Sequence, residues 1–534
     1  MQPIQHNSAA ELSKFMEELA YYEDGIYKII EDKVRFKPKT KQELMLAVKE
    51  YMDTDKYGPI DLWDTSLITD MSMLFACFRS SDISINNWNV SNVTNMEQMF
   101  WVSDFNCPLN NWDVSKVTNM RLMFYGCPTF NQPLENWDVS KVTKMDFMFS
   151  NCELFDQPLN NWDVSSVTDM YSMFSKCAQF DQPLNNWDVS SVTEMNSLFR
   201  ECSKFNQPLN NWDVSQVTDM RSLFSWCYLF NQPLNNWKVG QVTTMERMFY
   251  ECNQFNHSLD NWDVRQVKTM NCMFHTCNKF DQPLNNWDVQ SVVDMDFMFQ
   301  DCDKFNQPLN NWNVSQVKTM FCMFENCFLF DQPLNNWDTS EVTHMASMFE
   351  NCYKFNQTLN NWNVSQVTNM EKMFYSCGLF NQPLNNWDVS HVIDMSFMFD
   401  DCFTFNQPLN NWNVSQVQTM NQMFSWCKQF NQPLHNWNVS RVNTMDCMFY
   451  NCHKFDQPLD NWDVSSVTEM IGMFENCRVF NQPLESWNVS SVMNMDEMFA
   501  GCKVFNQLLE KWDISSITTM YNMFDIDVSN SIQT

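Results

Sequence analysis

Glycine is nearly missing from this chain, at 7 residues in 534. That scarcity leaves no Gly-rich loop to cradle a phosphate and no collagen-like period. Positive charge is also short: Lys plus Arg total 33 against 64 for Asp plus Glu, a formal net charge of -31. Nucleic-acid binding depends on neutralising phosphates, and anionic membranes attract polybasic segments, so the balance argues against both. A basic protein surface or a cation would be attracted. No apolar run approaches the length that crosses a bilayer. The N-terminal stretch MQPIQHNSAAELSKFMEELAYY has no basic start followed by an apolar core, so no secretory signal is visible, and neither a lipobox cysteine nor a sorting motif is found. Histidine is sparse as well; His257, His275, His344, His391, His435 and His453 each stand at a different place in the pattern described below. With no nucleophile elbow, CxxC or HExxH, nothing converges on a catalytic or metal site, and no cofactor is expected.

What the chain has in abundance is one sentence repeated. Trp162 to Asn186 reads WDVSSVTDMYSMFSKCAQFDQPLNN, and its tryptophan returns at Trp63, Trp88, Trp112, Trp137 and then every 25 residues to Trp512, giving 19 registers. Such a period takes precedence over any other reading. Superposing the copies sorts the positions into columns. Trp162, Val164, Val167, Met170, Met173, Phe174, Cys177, Phe180 and Leu184 head columns that stay apolar, and these are the core candidates. Asp169, Tyr171, Ser172, Ser175, Lys176, Ala178 and Gln179 head columns that drift, which marks solvent.

Val167, Met170, Phe174 and Cys177 are spaced by 3, 4 and 3, which predicts one face of a short helix with Thr168 as N-cap and Asp169 in its first turn. Leu184, Trp187 and Val189 give L-x-x-W-x-V, whose end alternates as a strand does. Pro183, lacking an N–H, belongs just before the ladder. The expected architecture is therefore α/β: a solenoid of about 19 stacked 25-residue strand–helix units, the strands forming one parallel sheet. L-x-x-W-x-V resembles the strand of leucine-rich repeats, with Val167 in place of the usual turn asparagine. V-T-x-M-x-x-M-F-x-x-C-x-x-F, as in Val167 to Phe180, resembles the BspA-type signature. The complete unit, over residues 57 to 524, is similar to the 25- or 26-residue repeat of surface lipoproteins in mycoplasmas and other bacteria, which also occurs in giant DNA viruses. The resemblance implies a leucine-rich-repeat-like solenoid. Together with the absent anchor and reduced thiols, it implies a giant-virus protein in host cytoplasm or in the virion.

Outside the repeat, residues 1–56 read as an N-terminal helical cap: Ser8 to Tyr22 has helical apolar spacing, and Thr40-Lys41-Gln42-Glu43 is a capping box opening a second helix through Tyr51. Residues 57–524 form the repeat region and 525–534 a C-terminal tail. Of 21 cysteines, 16 share one column from Cys127 to Cys502. Met and Phe accompany each, so the column reads as a small inward apolar residue rather than a metal ladder or a set of disulfides. Mostly free thiols fit a reducing compartment.

Two surfaces are candidates for binding. Between the strand's Trp and Val stand Asp113, Asp138, Asp163, Asp188, Asp213, Asp263, Asp288, Asp338, Asp388 and Asp463, with Asn313, Asn363, Asn413 and Asn438 elsewhere in the column and Lys238 interrupting it. Alternation points this acidic stripe outward from the sheet, over roughly 80 to 90 Å at the spacing of strands. It would serve a basic partner or cations, or alternatively be a structural stack in which Asp and Asn bond each other and their local turns. The second surface is the variable helix face, where Trp226, Tyr228, Phe328 and Trp426, with Leu229 and Leu329, place apolar groups where other copies are polar. The sequence thus points to a non-catalytic scaffold for protein–protein interaction. The alternative is a structural or adhesive component of a virion or cell surface, and self-association stays open.

Overall fold

In a short, apolar-rich repeat every backbone N–H must find an acceptor either inside its own unit or in the neighbouring copy. The computed structural model shows that this chain uses both in alternation. The structure describes residues 35–51, 54, 56–80 and 83–524. The helix expected over Ser8 to Tyr22 and the tail at 525–534 lie outside them. Two compact units are present, Met1–Gln241 and Val242–Thr534.

In the first unit, the helix announced by the capping box forms as α1, Lys41–Tyr51. The Thr40 hydroxyl accepts the Glu43 N–H at 3.1 Å, and the Glu43 carboxylate accepts the Lys39 N–H at 2.7 Å. Leu44, Ala47 and Val48 are buried. The chain on either side of α1 packs on the first repeat, with Phe36 4.4 Å from Tyr57 and 5.0 Å from Trp63 between ring centroids. Lys41 reaches down to Asp70 at 3.1 Å.

The strand–helix unit expected of an α/β solenoid does not form. Among the described residues the only helices are α1 and the 3₁₀ turn Ile60–Leu62, and extended pairing is confined to single-residue parallel bridges. Those bridges fall at Asp169↔Glu194 and its copies, not at the Trp–Val segment predicted as a strand. The presumed helix is instead a run of overlapping tight turns. Met173 N–H bonds Met170 C=O, Ser175 bonds Ser172 and Cys177 bonds Phe174, each an i to i−3 bond of 2.9 to 3.2 Å. The intervening N–H groups point the other way: those of Met170, Ser172, Phe174 and Lys176 bond the carbonyls of Glu194, Asn196, Leu198 and Arg200 in the next copy at 2.7 to 3.0 Å. Thr168 is not a cap, since its N–H bonds Thr143 C=O at 3.3 Å and its own carbonyl serves Thr193.

Two left-handed residues per copy make this path. Among the described residues, the tenth and fourteenth residues after the repeat tryptophans have positive φ, as in Ser172 (53°) and Lys176 (65°), or Phe397 (58°) and Asp401 (62°). A helix cannot pass through such residues, and each one turns a peptide plane so that its N–H faces the next copy. Side chains spaced by 3 and 4 still land inside, so Met170, Met173, Phe174 and Cys177 are fully buried as the helical reading required. Ser172 and Ser175, expected in solvent, are each only 5% exposed.

The core is built from columns in register. In the second unit Trp312 lies 6.4 Å from Trp287 and 6.3 Å from Trp337, with the rings within 3° of parallel. Phe299 stacks on Phe324 at 5.7 Å and on Phe305 at 4.1 Å. The first unit repeats this, with Trp187 and Trp212 6.3 Å apart at 2°. Offset stacking of this kind is worth about 0.5–1.5 kcal/mol per pair beyond burial. Buried polar atoms are spent across the join: Trp187 Nε1 donates to Leu159 C=O at 2.9 Å and Cys177 Sγ to Phe149 C=O at 3.1 Å. Asp156 Oδ1 accepts both the Asp181 N–H and Gln182 Nε2, at 3.0 and 2.9 Å. Among the described residues the cysteines form no disulfide, and burial pushes the thiols of the main column up. They act as small inward groups that also satisfy a carbonyl.

Trp312→Ala removes one ring from the stack of the second unit and takes away one of the two donors of Leu284 C=O, the indole at 2.9 Å, leaving the Trp287 N–H at 3.1 Å. Unfolding by urea should show a loss of about 3–5 kcal/mol, with hydrogen exchange rising first in the copies on either side. Val102 is β-branched at φ 52°, in a column where other copies use Asn151, Asn326 and Asn476. Val102→Asn relieves the left-handed strain and should stabilise the first unit by about 1 kcal/mol in the same assay.

Candidate interaction surface

The acidic column stands where alternation put it. Trp162 and Val164 are buried, and Asp163 between them is exposed. It does not line a sheet face, because the described residues form only isolated bridges and no sheet. Its Oδ1 accepts the Ser165 N–H at 3.1 Å and the Ser165 hydroxyl at 2.6 Å, a closed local turn. The same bond from the residue two positions on is made to Asp113, Asp138, Asp188, Asp213, Asp338, Asp388 and Asp463, at 3.0 to 3.1 Å. Asn313, Asn363, Asn413 and Asn438 make it too, at 3.1 to 3.2 Å. Asp288 holds the Gln290 N–H at 3.3 Å, and Asp263 holds the Arg265 N–H at 3.3 Å and also grips the Arg265 guanidinium through both oxygens at 2.8 and 2.6 Å.

This explains why Asp and Asn interchange and why Ser so often follows two residues later. The turn needs only the one oxygen that both side chains own. The Asp or Asn residues do not bond one another along the column. The side-chain ladder between copies lies elsewhere, at Asp156, Asp181 and Asn206, and at the Asn preceding the tryptophan, where Asn160 Oδ1 accepts the Asn186 N–H at 3.0 Å. With one oxygen fixed by the turn, the other faces water. The serine hydroxyl and N–H hold the carboxyls of Asp138, Asp188, Asp213, Asp388 and Asp463 below the usual carboxylate range, and Arg265 does so for Asp263.

The aromatic candidates sit on the turn surface rather than on a helix. Trp226 and Trp426 occupy the second left-handed position, at φ 60° and 56°. The Arg200 guanidinium lies over the Trp226 ring at 4.9 Å. Trp426 is 6.0 Å from Tyr450 with Lys428 Nζ 4.8 Å from its ring. Tyr228 and Phe328 are exposed, at 40% and 44%.

A buried carboxyl escaped the sequence reading. Asp400, in a drifting column, is 6% exposed, and burial pushes its carboxyl up to about 7. Asp296, Glu325 and Asp446 are raised by burial in the same way. The signal was present only as acids at columns that proved to lie between copies. Among the described residues no group of three or more His, Cys, Asp or Glu is arranged to hold a metal ion.

Copies of a 25-residue turn unit, bonded to their neighbours within each compact unit through backbone, side chain and aromatic columns, define a tandem-repeat protein. Five overlapping segments, 44–161, 143–262, 248–362, 345–457 and 429–533, match the family described as "Mycoplasma protein of unknown function, DUF285". The chain belongs to that family. No curated protein matches it. Among solved structures, the glycosylated Toll–Spatzle complex of Drosophila aligns at 9% identity over 76% of this chain and 57% of that one, with a TM-score of 0.19, too low to bear on the fold. No helix among the described residues is long and apolar enough to cross a membrane.

A carboxyl raised from 3.8 to about 7 is protonated more readily in the folded chain than in the unfolded one. Its cost to stability is therefore absent below pH 4, grows as pH rises through about 7 and then levels off. Asp400→Asn should leave stability unchanged at pH 4 and raise it at pH 8 by on the order of 4 kcal/mol at 1.36 per unit, measured by urea unfolding at the two pH values.

Proposed function

We propose that the chain is a non-catalytic scaffold whose exposed aspartate column binds a basic protein surface. The observation that carries this reading is the fixed Asp turn. Asp113, Asp138, Asp163, Asp188 and Asp213 stand exposed on consecutive copies, each with one oxygen pinned by its own loop and the other free. A charge held in place gives up little side-chain entropy on binding, so a row of them favours a partner that presents cations at a matching pitch. Because hydrogen bonds depress several of these carboxyls, the row keeps its charge into mildly acidic solution. The free thiols support work in a reducing compartment, such as the cytoplasm of a host cell. Trp426 and Phe328 would add apolar contacts on a separate part of the surface.

The test is binding of a lysine decamer to the intact chain, compared with a variant carrying Asp138→Asn, Asp163→Asn and Asp188→Asn. Asn preserves the turn, so the fold is kept. A control removes three acids outside the column, Glu153→Gln, Asp303→Asn and Glu341→Gln. The reading expects affinity to fall at least about fivefold in the column variant, at a few tenths of a kcal/mol per exposed charge, and to change little in the control. Equal losses in both variants would make the attraction one of net charge alone and end this assignment.

A further inference from the structure

In a chain of net charge -31, half of the second unit's lysines and arginines share one two-residue strip, just after the inward cysteine of each copy. Lys304 is an upstream member, and on four consecutive copies the strip presents Lys428, Lys454, Arg478 and Lys503. Lys454, Arg478 and Lys503 are exposed. Lys428 is half-buried, its Nζ resting 4.8 Å from the ring centroids of both Phe403 and Trp426. Other cations of this unit are already neutralised, with Arg265 on Asp263, Lys372 on Glu350 and Lys511 on Glu485. None of the four strip residues forms an ion pair among the described residues. The strip is thus an unneutralised basic row on an acidic molecule.

Its complement exists on the first unit of the same chain. Asp113, Asp138, Asp163, Asp188 and Asp213 are exposed on five consecutive copies, also outside any ion pair among the described residues. The two rows share one pitch, because both are set by the stacking repeat. Successive tryptophans are 6.3 to 6.4 Å apart in the first unit, as at Trp112, Trp137 and Trp162, and 6.4 to 6.5 Å apart between Trp437 and Trp512. Matching pitch lets every charge of one row meet a charge of the other without strain, which no irregular partner would do by chance.

We infer that the basic strip of one copy docks along the aspartate column of a second copy, so that the chain associates with itself side by side. The inference rests on the proposed role of the aspartate column and names its partner as another molecule of this chain. The contact is heterologous: each molecule brings a different surface to it. The large like charge of the copies opposes approach at low ionic strength. At about 0.15 M salt that long-range repulsion is screened over about 8 Å, while close pairs are screened less.

The experiment is sedimentation velocity of the full chain at increasing concentration in moderate salt. One variant carries Lys454→Glu, Arg478→Glu and Lys503→Glu; another carries Asp138→Lys, Asp163→Lys and Asp188→Lys. The wild type should form concentration-dependent assemblies. Each variant alone should associate at least about tenfold more weakly, since several exposed pairs become repulsive. Mixing the two should restore association, because the reversed strip now faces a reversed column. A control with Lys268→Glu, Lys318→Glu and Arg441→Glu makes the same charge change elsewhere and should assemble as the wild type does. A wild type that stays monomeric, a control that loses association as fully as the strip variant, or a mixture that fails to recover would each overturn the inference. If copies stay apart while the lysine decamer still needs the aspartate column, the self-docking fails and the binding role of the column survives. If the decamer too is indifferent to the column, both fail.

Discussion

The structure depends on register between copies. Within each unit the residues of the repeat lie beside their counterparts 25 positions along the chain, and the hydrogen bonds that hold this arrangement run, as in the first unit, from the N–H of Met170, Ser172, Phe174 and Lys176 to carbonyls of the following copy. These four alternate peptides point the same way, so their bonds line up in columns that polarise one another from copy to copy. Once that spacing is fixed, tryptophan stacks on tryptophan and phenylalanine on phenylalanine. The cysteine thiol meets a carbonyl and the Asp or Asn ladder closes. A slip of one residue would break all of these at once.

This constraint explains the unusual conservatism among the copies within the chain. A column holds side chains that can lie against themselves: flat rings, small thiols, methionines, valines and leucines, or amides and carboxyls that accept from the next N–H. It also explains the near absence of glycine despite two left-handed residues in most copies. The stack supplies enough backbone bonding and burial to hold Ser, Lys, Phe, Cys and even Val102 at positive φ, at a local cost of about 1–2 kcal/mol each. Outward positions escape the constraint, and charge is sorted there. The acidic column sits on local Asx turns, and a basic strip gathers in the second unit.

Much of the candidate surface was legible in the chain. Asp163 between a constant tryptophan and a column that is valine in most copies had to point outward, and the Ser two residues on explains its turn. The basic strip was less visible because its members spread over two adjacent columns inside a strongly acidic total. Lys428 and Arg478 stand one position before Lys454 in the repeat. Asp400 was invisible, since whether a drifting column faces water or the next copy depends on the direction of the turn, which is not written locally.

By itself, the sequence determined the period and the inward columns. Those follow from side-chain chemistry that must be compatible with its own copy. The tertiary structure alone decided the backbone path. A spacing of 3, 4 and 3 is satisfied equally by a helix and by overlapping turns that alternate between right- and left-handed residues. The choice between them is made by hydrogen-bond acceptors one copy away. A helix would turn each N–H back to its own segment, four residues earlier, whereas the stacked turns send every second one to the neighbouring copy. That neighbour exists only once the chain has folded, and it converts a pattern that reads as strand and helix into a ladder of turns.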